Sequence, residues 1–165
     1  MSDADRGSGT APSALFTDLY ELSMAQAYVA DGVTEDASFE LFFRDLGETR
    51  GYVLAGGLES ALQALEAFTF RRDEIAYLAG TGLFDEAFLE WLRGAAFTGD
   101  VEAVAEGTAV FPEEPVLRVS APMPVAQILE TRLLNAVHYE SLVLTKASKM
   151  VEAAAGRGVV DFGAR

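Results

Sequence analysis

Cysteine is absent from this 165-residue chain, which excludes disulfide frameworks, thiolate zinc sites and a cysteine nucleophile. Histidine occurs once, at His138, so a two-histidine metal site is excluded as well. No apolar run approaches the ~18 residues that a membrane helix needs. The polar opening MSDADRGSGTAPS lacks the apolar segment of a secretory signal. Positive charge is scarce too. Twelve Lys+Arg stand against 26 Asp+Glu, a formal charge of −14, and such a surface repels phosphate backbones and anionic lipid. Binding of nucleic acid or membrane through a basic patch is therefore not expected, and a cytoplasmic location is. Among the basic residues only Lys146 and Lys149 are lysines. An acidic, lysine-poor, alanine-rich composition suits solubility at high salt, beside the plainer reading of an acidic cytoplasmic protein.

What is present is one domain's worth of apolar residue, 50% of the chain. Residues 1–13 are rich in Ser, Asp, Gly, Thr and Pro and read as a disordered tail. Asp18 and Glu21 have capping-box spacing ahead of a helix that Asp31-Gly32 ends. The aromatic run at 39–44 and Tyr52-Val53-Leu54 read as short strands. Gly56-Gly57 then precede a helix carried by Leu58, Ala61, Leu62, Leu65 and Phe68. Asp73 and Asp85 are placed to cap two further helices.

From Val101 three short β-runs, 101–105, 108–111 and 116–119, alternate with turn residues and predict a small antiparallel meander. Helical period returns through 125–137 and resumes through 142–154, and 159–162 predicts one more strand. The domain division expected is a tail (1–13), an N-terminal α/β domain (14–121), and helices with a first strand of a larger unit (122–165). A short apolar strand entered from a long helix normally has parallel neighbours and covering helices. The pattern is therefore that of the N-terminal part of a larger α/β protein.

Generic catalytic motifs are missing. Gly80-Thr81-Gly82 lacks a third glycine at the spacing of a dinucleotide fingerprint. His138 lies within a helical pattern and reads as a partly buried structural histidine. Glu113-Glu114 sit in a proline-flanked turn and read as solvated. No catalytic residue and no metal ligand is assigned within the chain.

Seven segments taken in order carry a resemblance. They are LFTDLYELSMAQAY (15–28), FELFFR (39–44), GYVLAGGLE (51–59), FTGDV (97–101), EGTAVFP (106–112), QILET (127–131) and DFGAR (161–165). Together they resemble the nicotinate phosphoribosyltransferase family. The resemblance implies an α/β fold, an α+β N-terminal domain leading into the first strand of an incomplete type II phosphoribosyltransferase barrel. It implies formation of nicotinate mononucleotide and pyrophosphate from nicotinate and phosphoribosyl pyrophosphate, coupled to ATP hydrolysis with Mg²⁺, in a homodimer serving NAD salvage. Tyr20 matches a tyrosine that stacks on the pyridine from the neighbouring subunit, and Phe162 an aromatic on the opposite pyridine face. Arg165 matches an arginine at the ribose-diphosphate end, and Asp18 an acid near the base. His138 does not match the family's phosphorylated histidine. A nicotinamide-using relative, and a non-catalytic piece that needs a partner chain, are the alternatives.

Overall fold

The computed structural model describes residues 13–47 and 50–163. Helix α1 (Leu19–Ala30) leads to strand β1 (Asp36–Phe42) and the two-residue strand β2 (Val53–Leu54). Three short helices follow: α2 (Leu58–Glu66), α3 (Arg72–Thr81) and α4 (Glu86–Gly94). Strands β3 (Asp100–Ala103), β4 (Ala109–Val110) and β5 (Pro115–Pro122) precede one long helix, α5 (Met123–Ala154). The mixed helix-and-sheet class expected from the sequence is the one observed.

Strand β5 is the centre of a three-stranded antiparallel sheet ordered β1-β5-β3, with Leu41 opposite Leu117 and Val101 opposite Val119. Its inward residues Leu117, Val119 and Ala121 are buried, while Arg118 points out and bonds Glu40 on one side and Glu102 on the other. The exposed ion pairs add little stability, and the buried alternation fixes the register. Strand β4 pairs with β2 in a separate two-stranded ladder. The expected meander is thus corrected: β3 does pair antiparallel with β5, but β4 between them leaves for a second sheet, because its partner is β2, more than fifty residues earlier.

Proline at 124 is tolerated because the first helical turn has no amide partner to lose, so β5 passes directly into α5. The 32 residues of α5 are continuous, about 48 Å at 1.5 Å per residue. The two helical stretches read from the sequence are therefore one. The apparent interruption at Ser141 is a buried polar seam. Ser141 Oγ accepts from Gly56 N–H at 2.9 Å, and Thr145 Oγ1 accepts from Leu54 N–H at 2.9 Å. These hydroxyls satisfy the edge of β2 that β4 leaves open. Below them the core is closed by Phe88, Leu92, Ile128, Leu129, Val53 and Val137, all nearly inaccessible to solvent.

The helix caps split. Asp85 accepts from Phe88 N–H at 2.8 Å as expected. Asp73 is not a cap; α3 starts one residue after Arg71, whose N–H is accepted by Glu74 at 2.8 Å. Residues 159–162 are not a strand in this structure: they follow α5 as exposed irregular chain, and no described strand lies beside them to form a ladder. Of the expected tail only Ser13 falls among the described residues.

Candidate functional site

Helix α1 lies against α5, and the first turn of α1 meets α5 around Glu130 and Thr131. Asp18 occupies the N-cap position but makes no capping bond. Its Oδ2 instead accepts from Thr131 Oγ1 at 2.8 Å, which corrects the capping-box reading. Glu21 is completely buried and is the unforeseen member of the group. Its carboxylate receives the Thr131 amide at 3.2 Å, the Thr131 hydroxyl at 2.8 Å, the Tyr20 hydroxyl at 3.3 Å, and the Thr17 hydroxyl. Each threonine has one proton and two acceptors in reach, Thr17 also facing Ile128 O at 2.8 Å. The hydroxyl protons are therefore shared among more lone pairs than they can fill.

Glu130 completes a ring of three carboxylates about the Tyr20 hydroxyl. Burial, then the charges of Glu21 and Asp18, push its carboxyl above the ordinary value, against a hydrogen bond from Gln127 Nε2 at 3.2 Å. Tyr20 is likewise raised, by desolvation first and then by the charges of Glu130, Glu21 and Asp18. Its phenol remains a neutral donor at pH 7, and the residue is 51% exposed to solvent. Beside Glu130 a groove of about 340 Å³ runs between α5 and the inner face of the sheet, past Phe39, Leu41 and Leu134.

A raised carboxyl binds its proton more tightly in the folded state, so Glu130 costs stability once pH rises past the ordinary carboxylate value. Glu130→Gln keeps the shape and removes that charge. It is expected to raise the melting temperature at pH 7, with the gain disappearing at acid pH where both states are protonated. A gain that does not depend on pH would show that charge is not its cause.

Phe162 stands elsewhere. It is 68% exposed, beyond the C-terminal end of α5, whereas Tyr20 adjoins Glu130. From Glu130 to Ala154 the helix runs about 36 Å. Asp18 and Tyr20 are thus brought together and Phe162 is not placed with them; Arg165 lies outside the described residues. His138 is exposed, its ring edge-on to Phe43 with centroids 6.0 Å apart. It is not the partly buried histidine expected, because its position on α5 turns toward a groove beside β1.

The nicotinate phosphoribosyltransferase (NAPRTase) N-terminal domain matches residues 15–138, which contain every member of the Tyr20 cluster. The chain belongs to this family. A nicotinate phosphoribosyltransferase of Mycobacterium tuberculosis, pncB2, is 51% identical over 152 residues, 92% of this chain and 33% of that protein. The Bacillus subtilis nicotinate phosphoribosyltransferase is 43% identical over 152 residues, 92% of this chain and 31% of that one. The crystal structure of human nicotinic acid phosphoribosyltransferase superposes with a TM-score of 0.76 at 39% identity, covering 87% of this chain and 29% of that one. The chain spans about a third of the length of these NAPRTase relatives. No described helix is long and apolar enough to cross a membrane.

Proposed function

We propose that this chain supplies the N-terminal part of a cytoplasmic, homodimeric nicotinate phosphoribosyltransferase and presents Tyr20 to the pyridine of nicotinate. The observation that carries the reading is the half-exposed Tyr20 set among Asp18, Glu21 and Glu130. In the proposed reaction the pyridine nitrogen attacks the anomeric carbon of phosphoribosyl pyrophosphate as the carbon–oxygen bond to pyrophosphate breaks. The pyridine becomes a cation and pyrophosphate leaves with the bonding electrons. A stacked aromatic pair contributes about 0.5–1.5 kcal/mol beyond area burial. Three carboxylates near the ring favour positive charge developing on the base and disfavour nicotinate's own carboxylate, so the nicotinate carboxylate points away from them. Phe162 takes the opposite pyridine face and Arg165 the diphosphate end.

The length of α5 separates Tyr20 from Phe162, which supports a site built from two subunits. The exposed Leu134, Val143, Met150 and Val151 of α5 are surfaces for that assembly. ATP and Mg²⁺ belong to the proposed reaction. Among the described residues no group of three acids or histidines is arranged to hold a metal ion, so no step performed by this chain's residues is derived through either.

The test is direct. The 165-residue chain, given nicotinate, phosphoribosyl pyrophosphate, ATP and Mg²⁺, should form no nicotinate mononucleotide above blank. The chain continued to the length of its relatives should form it, and should use nicotinate in preference to nicotinamide. Turnover of ~1 s⁻¹ by the short chain would overturn the assignment of its role, and a preference for nicotinamide would overturn the substrate.

A further inference from the structure

We propose that Glu21 is a positioning residue: it fastens the Tyr20 hydroxyl to α5, so that the ring meets the pyridine already oriented. The inference rests on the proposed reading of Tyr20 as the residue that faces nicotinate. Consecutive residues of a helix point about 100° apart. Here Tyr20 is half-exposed and Glu21, the next residue, is fully buried. Glu21 Oε1 accepts from the Tyr20 hydroxyl at 3.3 Å, the Thr131 hydroxyl at 2.8 Å and the Thr131 amide at 3.2 Å. Its Oε2 takes the Thr17 hydroxyl. A single buried oxygen thus joins the exposed tyrosine of α1 to the backbone and side chain of α5.

Stability alone does not call for an acid at this position. All four donors are neutral groups. Arg132, next to Thr131 in sequence, is turned over the Phe16 ring at 5.0 Å. Burying an acid among neutral partners is costly. A helix N-terminus favours an exposed acid as well as a buried one, and Asp18 already stands at the N-cap of α1. Nor do the threonines depend on Glu21. Thr17 also reaches Ile128 O at 2.8 Å, and Thr131 reaches Asp18 Oδ2 at 2.8 Å. The Thr131 amide lies within α5, where the helix supplies an acceptor. A leucine of similar bulk would satisfy the packing and leave the Tyr20 hydroxyl without this anchor. An unanchored, half-exposed side chain loses its freedom only when a ligand arrives. That loss weakens binding by about two- to tenfold, and an anchor set beforehand removes it.

The test is a double-variant cycle in the chain continued to the length of its relatives, with KM for nicotinate and kcat read separately. Tyr20→Phe keeps the ring and deletes the donor, whereas Glu21→Leu keeps the bulk and deletes the acceptor. Each should raise KM about two- to tenfold and hold kcat within about twofold, because the ring moves and the reacting atoms do not. Made together, the two changes should be no worse than the worse one, since both cut the same bond. Glu21→Gln retains an acceptor oxygen and should recover most of the lost affinity. Effects that multiply in the double variant would overturn the inference, for Glu21 would then act by another route. A fall in kcat at constant KM would overturn it too. Unchanged KM in Tyr20→Phe would do the same, and that variant decides the matter if Glu21→Leu does not fold. The underlying reading fails differently: Tyr20→Ala with unaltered kcat/KM would remove Tyr20 from the pyridine altogether. An impaired Tyr20→Ala beside a silent Tyr20→Phe would sink the positioning role alone.

Discussion

Tyr20→Ala and Phe162→Ala forms of the complete enzyme, each badly impaired alone, should regain activity when their subunits are mixed. In the proposed dimer each site draws Phe162 from one subunit and Tyr20 from the other. Every site of either homodimer then lacks one stacking face, a loss of about 10–100-fold in kcat/KM from stacking and buried ring area together. A mixed dimer redistributes the lesions. One of its sites collects both substitutions and the other receives both aromatics intact, so activity returns to about half per mixed dimer. The structure motivates the experiment through α5, which puts about 36 Å of helix between Glu130 and its own end. A mixture no more active than its parents, with subunit exchange confirmed by mass, would refute the shared site.

The part of this site visible in the sequence was the local part. Tyr20 and Asp18 sit two residues apart on one helical turn, and the segment around them carries the resemblance. Glu21 read only as a helix-capping residue, since its defining partner, Thr131, is 110 residues away and the pattern of α1 gives no sign of it. The same division holds across the fold. Asp85 caps α4 because a cap is decided within four residues. The pairing of β4 with β2 was not legible, because two-residue strands leave too little alternation to choose a partner. Residues 159–162 have strand composition, and composition does not form a ladder without a neighbour. In α5 the apolar period pauses between 137 and 142 for a physical reason: Ser141, with Thr145 one turn on, is buried to bond the backbone of Gly56 and Leu54, so polar residues stand on the helix's inner face.

That seam leads to the largest stability effect expected of a single residue. Gly57 adopts φ +87 at the start of α2, a conformation that side chains rarely accept. A Cβ there would lie 2.5 Å from Ala136 O, 2.8 Å from Ala136 C and 2.9 Å from Val137 Cα. All three are backbone atoms in the middle of α5, and α5 cannot retreat without breaking the Ser141 and Thr145 bonds to the β2 edge. The positive φ costs about 1–3 kcal/mol and the overpacking about 1–3 kcal/mol more. Gly57→Ala should therefore lower stability by about 2–6 kcal/mol and the melting temperature by about 5–20 °C for a chain of this size. Gly80→Ala is the matched opposite. It lies in α3 with nothing within 4 Å of the new methyl, and should gain about 0.5–1 kcal/mol from helix propensity. Urea unfolding of both variants separates the two causes, since the same glycine-to-alanine change must move the midpoint in opposite directions. A Gly57→Ala protein as stable as its parent would mean that α2 and α5 do not approach as described.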